Sequence, residues 1–141
     1  MKNNLKKLCC EVVRILEKDY DHESPWAYKI SPAICRALKK YIKAEIKYNG
    51  DHWHIVNECK GYGFYSCFIE SKEVPNKTVY VNMDFGNSSS GISRLFNSTC
   101  RVLYRTANNS KDYRGGSNRY TDLHSIVEEV INLLEGKRSW Y

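Results

Sequence analysis

Leu5, Leu8, Val12, Ile15 and Leu16 recur at spacings of three and four, which predicts an amphipathic helix over residues 4–19. The stretch from Asp19 to Pro25 ends it, because a proline cannot continue the hydrogen-bond ladder. Ser31-Pro32 reads as the next helix start, with serine as N-cap and proline at the first helical position. At about 100° per residue from Ile34, the side chains of Leu38, Ile42 and Ile46 fall between about 40° and 120°. Those of Arg36, Lys40, Lys43 and Lys47 fall between about 180° and 240°, so one face packs and the opposite face is a cationic stripe. Asn49-Gly50 closes this helix.

The period then changes from helical to alternating. Residues 52–59 place Trp53 and Ile55 on one parity, and residues 62–70 are dense in aromatics. Residues 77–85 alternate, with Val79, Val81, Met83 and Phe85 inward and Thr78, Tyr80, Asn82 and Asp84 outward. Lys60-Gly61 predicts a tight turn and residues 73–76 a longer one. The segment 92–106 fits helix in its first half and strand in its second; the poor helix propensity of Asn97-Ser98-Thr99 favours a helical turn followed by a strand at 100–106. A polar loop runs from Asn108 to Arg119. Leu123, Ile126, Val127, Val130, Ile131 and Leu134 then predict a helix starting near Thr121-Asp122 and stopping at Gly136. The resulting order, α-α-β-β-β-β-α, is that of an α+β protein: a small antiparallel sheet of three to four strands, two N-terminal helices and one C-terminal helix, in a single domain over residues 1–141.

Composition sharpens this picture. With 42% hydrophobic and 27% charged residues, the chain is neither disordered nor collagenous. No apolar run approaches the roughly 20 residues of a membrane helix. Glu11 and Arg14 interrupt what would have to be an uncharged export signal, so the expected location is cytoplasmic. The six cysteines (9, 10, 35, 59, 67 and 100) then read as reduced thiols, mostly small core fillers, and the sequons at Asn76, Asn87, Asn97 and Asn108 as incidental.

The net charge of +6 is unevenly spread. Residues 1–50 carry 11 Lys/Arg against 6 Asp/Glu, and residues 90–120 carry 6 against 1. The second basic segment holds Arg101, Arg105, Lys111, Arg114 and Arg119 with Tyr104, Tyr113 and Tyr120 around Gly115-Gly116. Arginine forks hold phosphate or carboxylate bidentately, tyrosine rings stack on bases, and glycines let backbone N–H groups approach an anion. A solvated polar loop is the plain alternative for this segment.

Other clusters carry residue types with possible chemistry. Asp19, Asp21, Glu23 and His22 could offer oxygen ligands to Mg²⁺ or Ca²⁺, but without EF-hand spacing they read as a solvated acidic turn. His52 and His54 share a strand face and could begin a zinc site, with Cys59 on the opposite parity unless a bulge intervenes. Asp51 followed by Glu70-Ser71-Lys72 is similar to the motif of PD-(D/E)xK nucleases, which implies carboxylates on Mg²⁺ and a lysine orienting the attacking water. Here Asp51 opens the first strand rather than the second, and Lys72 lies at a turn. The helix–strand order is also similar to that of double-stranded-RNA-binding domains, which place lysines at the start of the last helix; this one opens Thr121-Asp122-Leu123-His124. P-loop, zincin and nucleophile-elbow motifs do not occur.

The reading that follows is a binding protein without catalytic activity, metal or cofactor. Its lysine stripe (Arg36, Lys40, Lys43, Lys47) and arginine loop together would engage nucleic acid or a nucleic-acid-handling protein. In style it resembles accessory proteins of phages and mobile elements, including inhibitors of bacterial defence. The alternatives are a Mg²⁺-dependent nuclease using Asp51, Glu70 and Lys72, and a binder of a small phosphorylated ligand.

Overall fold

The computed structural model describes residues 3–19, 26–74, 77–86, 94–96 and 102–136. Helix α1 spans Asn3–Asp19, with Leu5, Leu8 and Val12 buried at its apolar stripe. Helix α2 spans Trp26–Tyr48 and buries Ile30, Ile34, Leu38, Ile42 and Ile46. The two run antiparallel, since Asn4 meets Glu45 at 3.4 Å while Glu11 meets Lys40 at 4.0 Å.

Pro32 lies inside α2, correcting the expected start at Ser31. A proline there removes one ladder bond, and the helix continues through it because tertiary contacts outweigh that local loss. The Ser31 hydroxyl is not a cap. It donates to the Gly61 carbonyl at 2.7 Å and accepts the Gly63 N–H at 3.2 Å, fastening α2 to the first hairpin.

The sheet has five strands, β1 (Trp53–Gly61), β2 (Phe64–Ser71), β3 (Thr78–Asp84), β4 (Val102–Ala107) and β5 (Arg119–Thr121), hydrogen-bonded in chain order and antiparallel throughout. The fifth strand exceeds the three to four expected. Its three residues, Arg-Tyr-Thr, are too few to show an alternating pattern, and the expected polar loop extends over the first of them. The first turn is Tyr62-Gly63 rather than Lys60-Gly61. Gly63 has φ +83°, and a Cβ there would collide with the Gly86 backbone, whose N–H donates to the Gly63 carbonyl. The helical turn expected ahead of the fourth strand is present at residues 94–96.

One residue sets which side of the sheet β1 presents. Asn57 adopts φ +50° at a bulge between Val56 and Cys59. Before it, Trp53 and Ile55 share a face with Ile69; after it, the parity reverses, and Cys59 pairs with Ser66 on the other face.

The final helix, α3, spans Ile126–Leu134 and begins later than Thr121-Asp122. Thr121 belongs to β5, and Asp122 accepts the Ser125 N–H at 2.9 Å, holding a turn ahead of the helix. Helices α2 and α3 pack on one face of the sheet and α1 packs on α2, in one core that includes Tyr65, Cys67, Val79, Val81, Met83, Val102 and Tyr104. The Tyr41 hydroxyl donates to the Leu123 carbonyl at 2.8 Å and locks α2 to the approach of α3. A second, smaller cluster of Phe68, Tyr80 and Ala107 lies on the opposite face. Thr78 and Tyr80 do point outward as expected, yet both are buried: Thr78 donates to Glu70, and Tyr113, from the segment after β4, folds back over Tyr80.

Candidate functional site

The second basic segment is split by the sheet: Arg119, in register with core-facing Tyr104, lies on the helical side, and Arg105 does not. Arg36, Lys40, Lys43 and Lys47 are exposed on α2, in the helical layer. Arg105 sits on the far face, directly opposite Tyr80 across the β3–β4 ladder. Arg105 is therefore separated by the sheet from the lysine stripe of α2. Arg101 lies outside the described residues.

The arginine loop is largely occupied with its own structure. The Arg105 guanidinium lies 4.7 Å over the Tyr80 ring, donates to the Tyr113 carbonyl and donates to Asn118 Oδ1 at 3.3 Å. Tyr113 meets Phe68 and Tyr80 edge-on, with centroids 5.2 and 5.6 Å away. The Asp112 carboxylate accepts the Asn108 and Arg114 N–H groups at 2.9 and 3.0 Å, and these backbone donors hold it below the usual carboxylate range. The glycines serve packing: a Cβ on Gly115 would stand 2.5 Å from Asp112 Oδ2 and 2.6 Å from the Thr106 carbonyl. Lys111 and Arg114 are exposed, while half-buried Arg119 pairs in register with Tyr104. The loop is a clamp over the aromatic cluster.

The helical layer offers a different arrangement. Between α1 and α2 runs a groove of about 370 Å³ whose apolar floor includes Leu8, Ala37, Tyr41 and Ala44. Lys6, Lys7 and Arg14 from α1 and Lys40 from α2 line it, with Glu11 as its one acidic lining residue among the described residues. The sequence reading missed the α1 cations. Their signal was present: Lys6, Cys10 and Arg14 recur at intervals of four, on one side of the helix. Lys40 approaches Glu11 at 4.0 Å with its side chain 79% exposed, so that contact is screened and weak.

The nuclease-like residues have other partners in the fold. Lys72 Nζ is 3.1 Å from Asp51 Oδ1 in an exposed ion pair, while Glu70 accepts the Thr78 hydroxyl at 3.1 Å and pairs in register with His54. Among the described residues no group of three or more His, Cys, Asp or Glu is placed to hold a metal. His52 and His54 are exposed, and the bulge does bring Cys59 to the face of His54. Five residues along a strand at about 3.3 Å each keep those two too far apart to share an ion. The Asp19–Glu23 cluster lies outside the residues whose side chains are described.

Another charged cluster joins the helices to the sheet. Glu58 accepts from Lys39 Nζ at 3.0 Å and from the Tyr65 hydroxyl at 2.9 Å, and Lys60 Nζ stands 3.3 Å away. Burial pushes its carboxyl up, but these donors outweigh burial and hold it below the usual glutamate value. Sequence spacing hid this cluster, because the Asn57 bulge is what turns Glu58 toward α2.

No protein-family model, no curated protein and no solved structure matches this chain.

Proposed function

We propose that this chain is a non-catalytic binding protein that engages an anion-rich partner, nucleic acid or a protein that handles it, through the outer face of α1 and α2. One observation carries the reading. Lys6, Lys7, Arg14 and Lys40 come from two helices to one groove, with Glu11 its one lining carboxylate among the described residues, and Lys43 and Lys47 extend the positive face along α2. Clustered positive charge of this kind draws anionic partners and speeds encounter. The arginine loop supports the reading less, since Arg105 is already engaged by Tyr80, Tyr113 and Asn118.

A salt series tests the proposal, using duplex DNA, single-stranded RNA and polyglutamate as polyanions. The parent binds at least one of them, with affinity falling as salt rises, and Lys6→Glu/Arg14→Glu/Lys40→Glu weakens that binding at least tenfold while leaving the melting temperature close to the parent's. Absence of binding to all three polyanions at low salt would refute it.

A further inference from the structure

We infer that α1 opens as a unit of its own, leaving α2 while the sheet stays folded, and that an anion held between the two helices keeps it docked. The second clause rests on the anion-binding reading of this face and adds its regulation.

The fastenings of the two helices are unequal. α2 is bonded to the rest of the molecule along its length: Ser31 to the Gly61 carbonyl at 2.7 Å, Cys35 to the Phe64 carbonyl at 3.3 Å, Lys39 to Glu58 at 3.0 Å and Tyr41 to the Leu123 carbonyl at 2.8 Å. α1 packs on α2, where Asn4 meets Glu45 at 3.4 Å and Glu11 meets exposed Lys40 at 4.0 Å, both long contacts. Its hold is mainly apolar: Leu5, Leu8 and Val12 are buried, with Cys9, Ile15 and Leu16 half-buried beside them. An element fastened mainly through one neighbour is of the kind that opens below the cost of global unfolding. Once released, a lone helix of 17 residues is marginal in water, so its backbone amides meet solvent.

Charge couples this opening to binding. Lys6, Lys7 and Arg14 of α1 line the groove together with Lys40 of α2, so docking gathers like charges, with Glu11 the one lining carboxylate among the described residues. An anion in the groove meets all four cations when α1 is docked. Undocking takes three of them away from Lys40, so the docked state binds the anion more tightly. That difference in affinity shifts the equilibrium towards docking. The coupling requires no apolar surface on the ligand and holds for any polyanion the groove takes.

Segment-resolved hydrogen exchange of the full chain tests both clauses. In the parent, the amides of residues 8–16 should exchange at least tenfold faster than those of residues 34–46 and 79–83. Their exchange should also rise less steeply with urea, because undocking exposes less surface than global unfolding. Arg105→Ala, which loosens the far face of the sheet, should speed residues 79–83 at least fivefold and leave residues 8–16 unchanged. Equal protection, an equal urea slope or a parallel response to Arg105→Ala would overturn the separate opening. Bound duplex DNA, single-stranded RNA or polyglutamate should slow residues 8–16 at least tenfold. If a polyanion binds in a salt-dependent way and this exchange is unchanged, the coupling is overturned and the anion-binding reading stands. If none of the three binds, that reading fails and the coupling with it, while the urea series still decides the separate opening.

Discussion

Lys40 of α2 stands 4.0 Å from Glu11 of α1, across a groove whose other charged lining residues among those described are cations. An incoming anion therefore competes with Glu11 for Lys40. Glu11→Gln removes that competitor. An exposed charge pair carries roughly 0.2–1 kcal/mol, so the substitution should tighten binding of an anionic probe by about 1.4- to fivefold. Isothermal titration of parent and variant at low salt checks this, and weaker binding by the variant would mean that Glu11 itself contacts the partner.

A clamp role for Arg105 makes a prediction of the opposite kind. Arg105→Ala loses the bonds to Tyr113 and Asn118 and the stacking on Tyr80, and should lower stability by about 1–3 kcal/mol. Tyr113→Ala should cost about as much, and the double variant less than the sum, because both remove one arrangement. Denaturant melts of the set check the coupling. Binding of anionic probes should be unchanged by either substitution.

How far the sequence foretold these features depended on pattern length. The helices were legible from their 3.6-residue period, because each buries a stripe such as Leu5, Leu8 and Val12 or Ile34, Leu38 and Ile42. Strands β1, β2 and β3 were legible from alternation and aromatic density. Ser31-Pro32 misled because a local start signal was overruled by contacts with Gly61 and Gly63. β5 was missed because three residues carry no period. The cationic stripe of α2 could be read from helical angles alone. Its partner wall on α1 and its separation from Arg105 could not, since they depend on which face each helix packs against.

Glu58 gives the molecule a pH-dependent bond between α2 and the sheet. Its folded carboxyl lies below its ordinary value, so its stabilisation is fully present above the ordinary carboxylate range and is lost as pH falls through the lowered folded value. Glu58→Gln should therefore cost about 1 kcal/mol at neutral pH, where its partners are partly solvated. The difference from the parent should shrink as pH falls below about 4. Chemical denaturation at pH 7 and pH 3 measures it. A constant difference would contradict the assignment of the Lys39, Tyr65 and Lys60 bonds.

The cysteines in the described residues, 9, 10, 35, 59 and 67, are free thiols. Burial pushes the Cys35 thiol up and pushes Cys67 up to about 12. Alkylation of the native protein should modify Cys10 and Cys59 first and leave Cys35 and Cys67 until unfolding. Dithiothreitol should leave the melting temperature within a degree or two; a large drop on reduction would indicate a disulfide.

The claim that the outer face of α1 and α2 receives an anionic partner is tested most directly by lysine acetylation, mapped with and without bound polyanion. Bound polyanion should protect Lys6, Lys7 and Lys40 strongly and Lys43 and Lys47 in part, leaving Lys111 on the loop as reactive as in the free protein. Protection of Lys111 with Lys6, Lys7 and Lys40 unchanged would contradict the account and move the binding surface to the far side of the sheet.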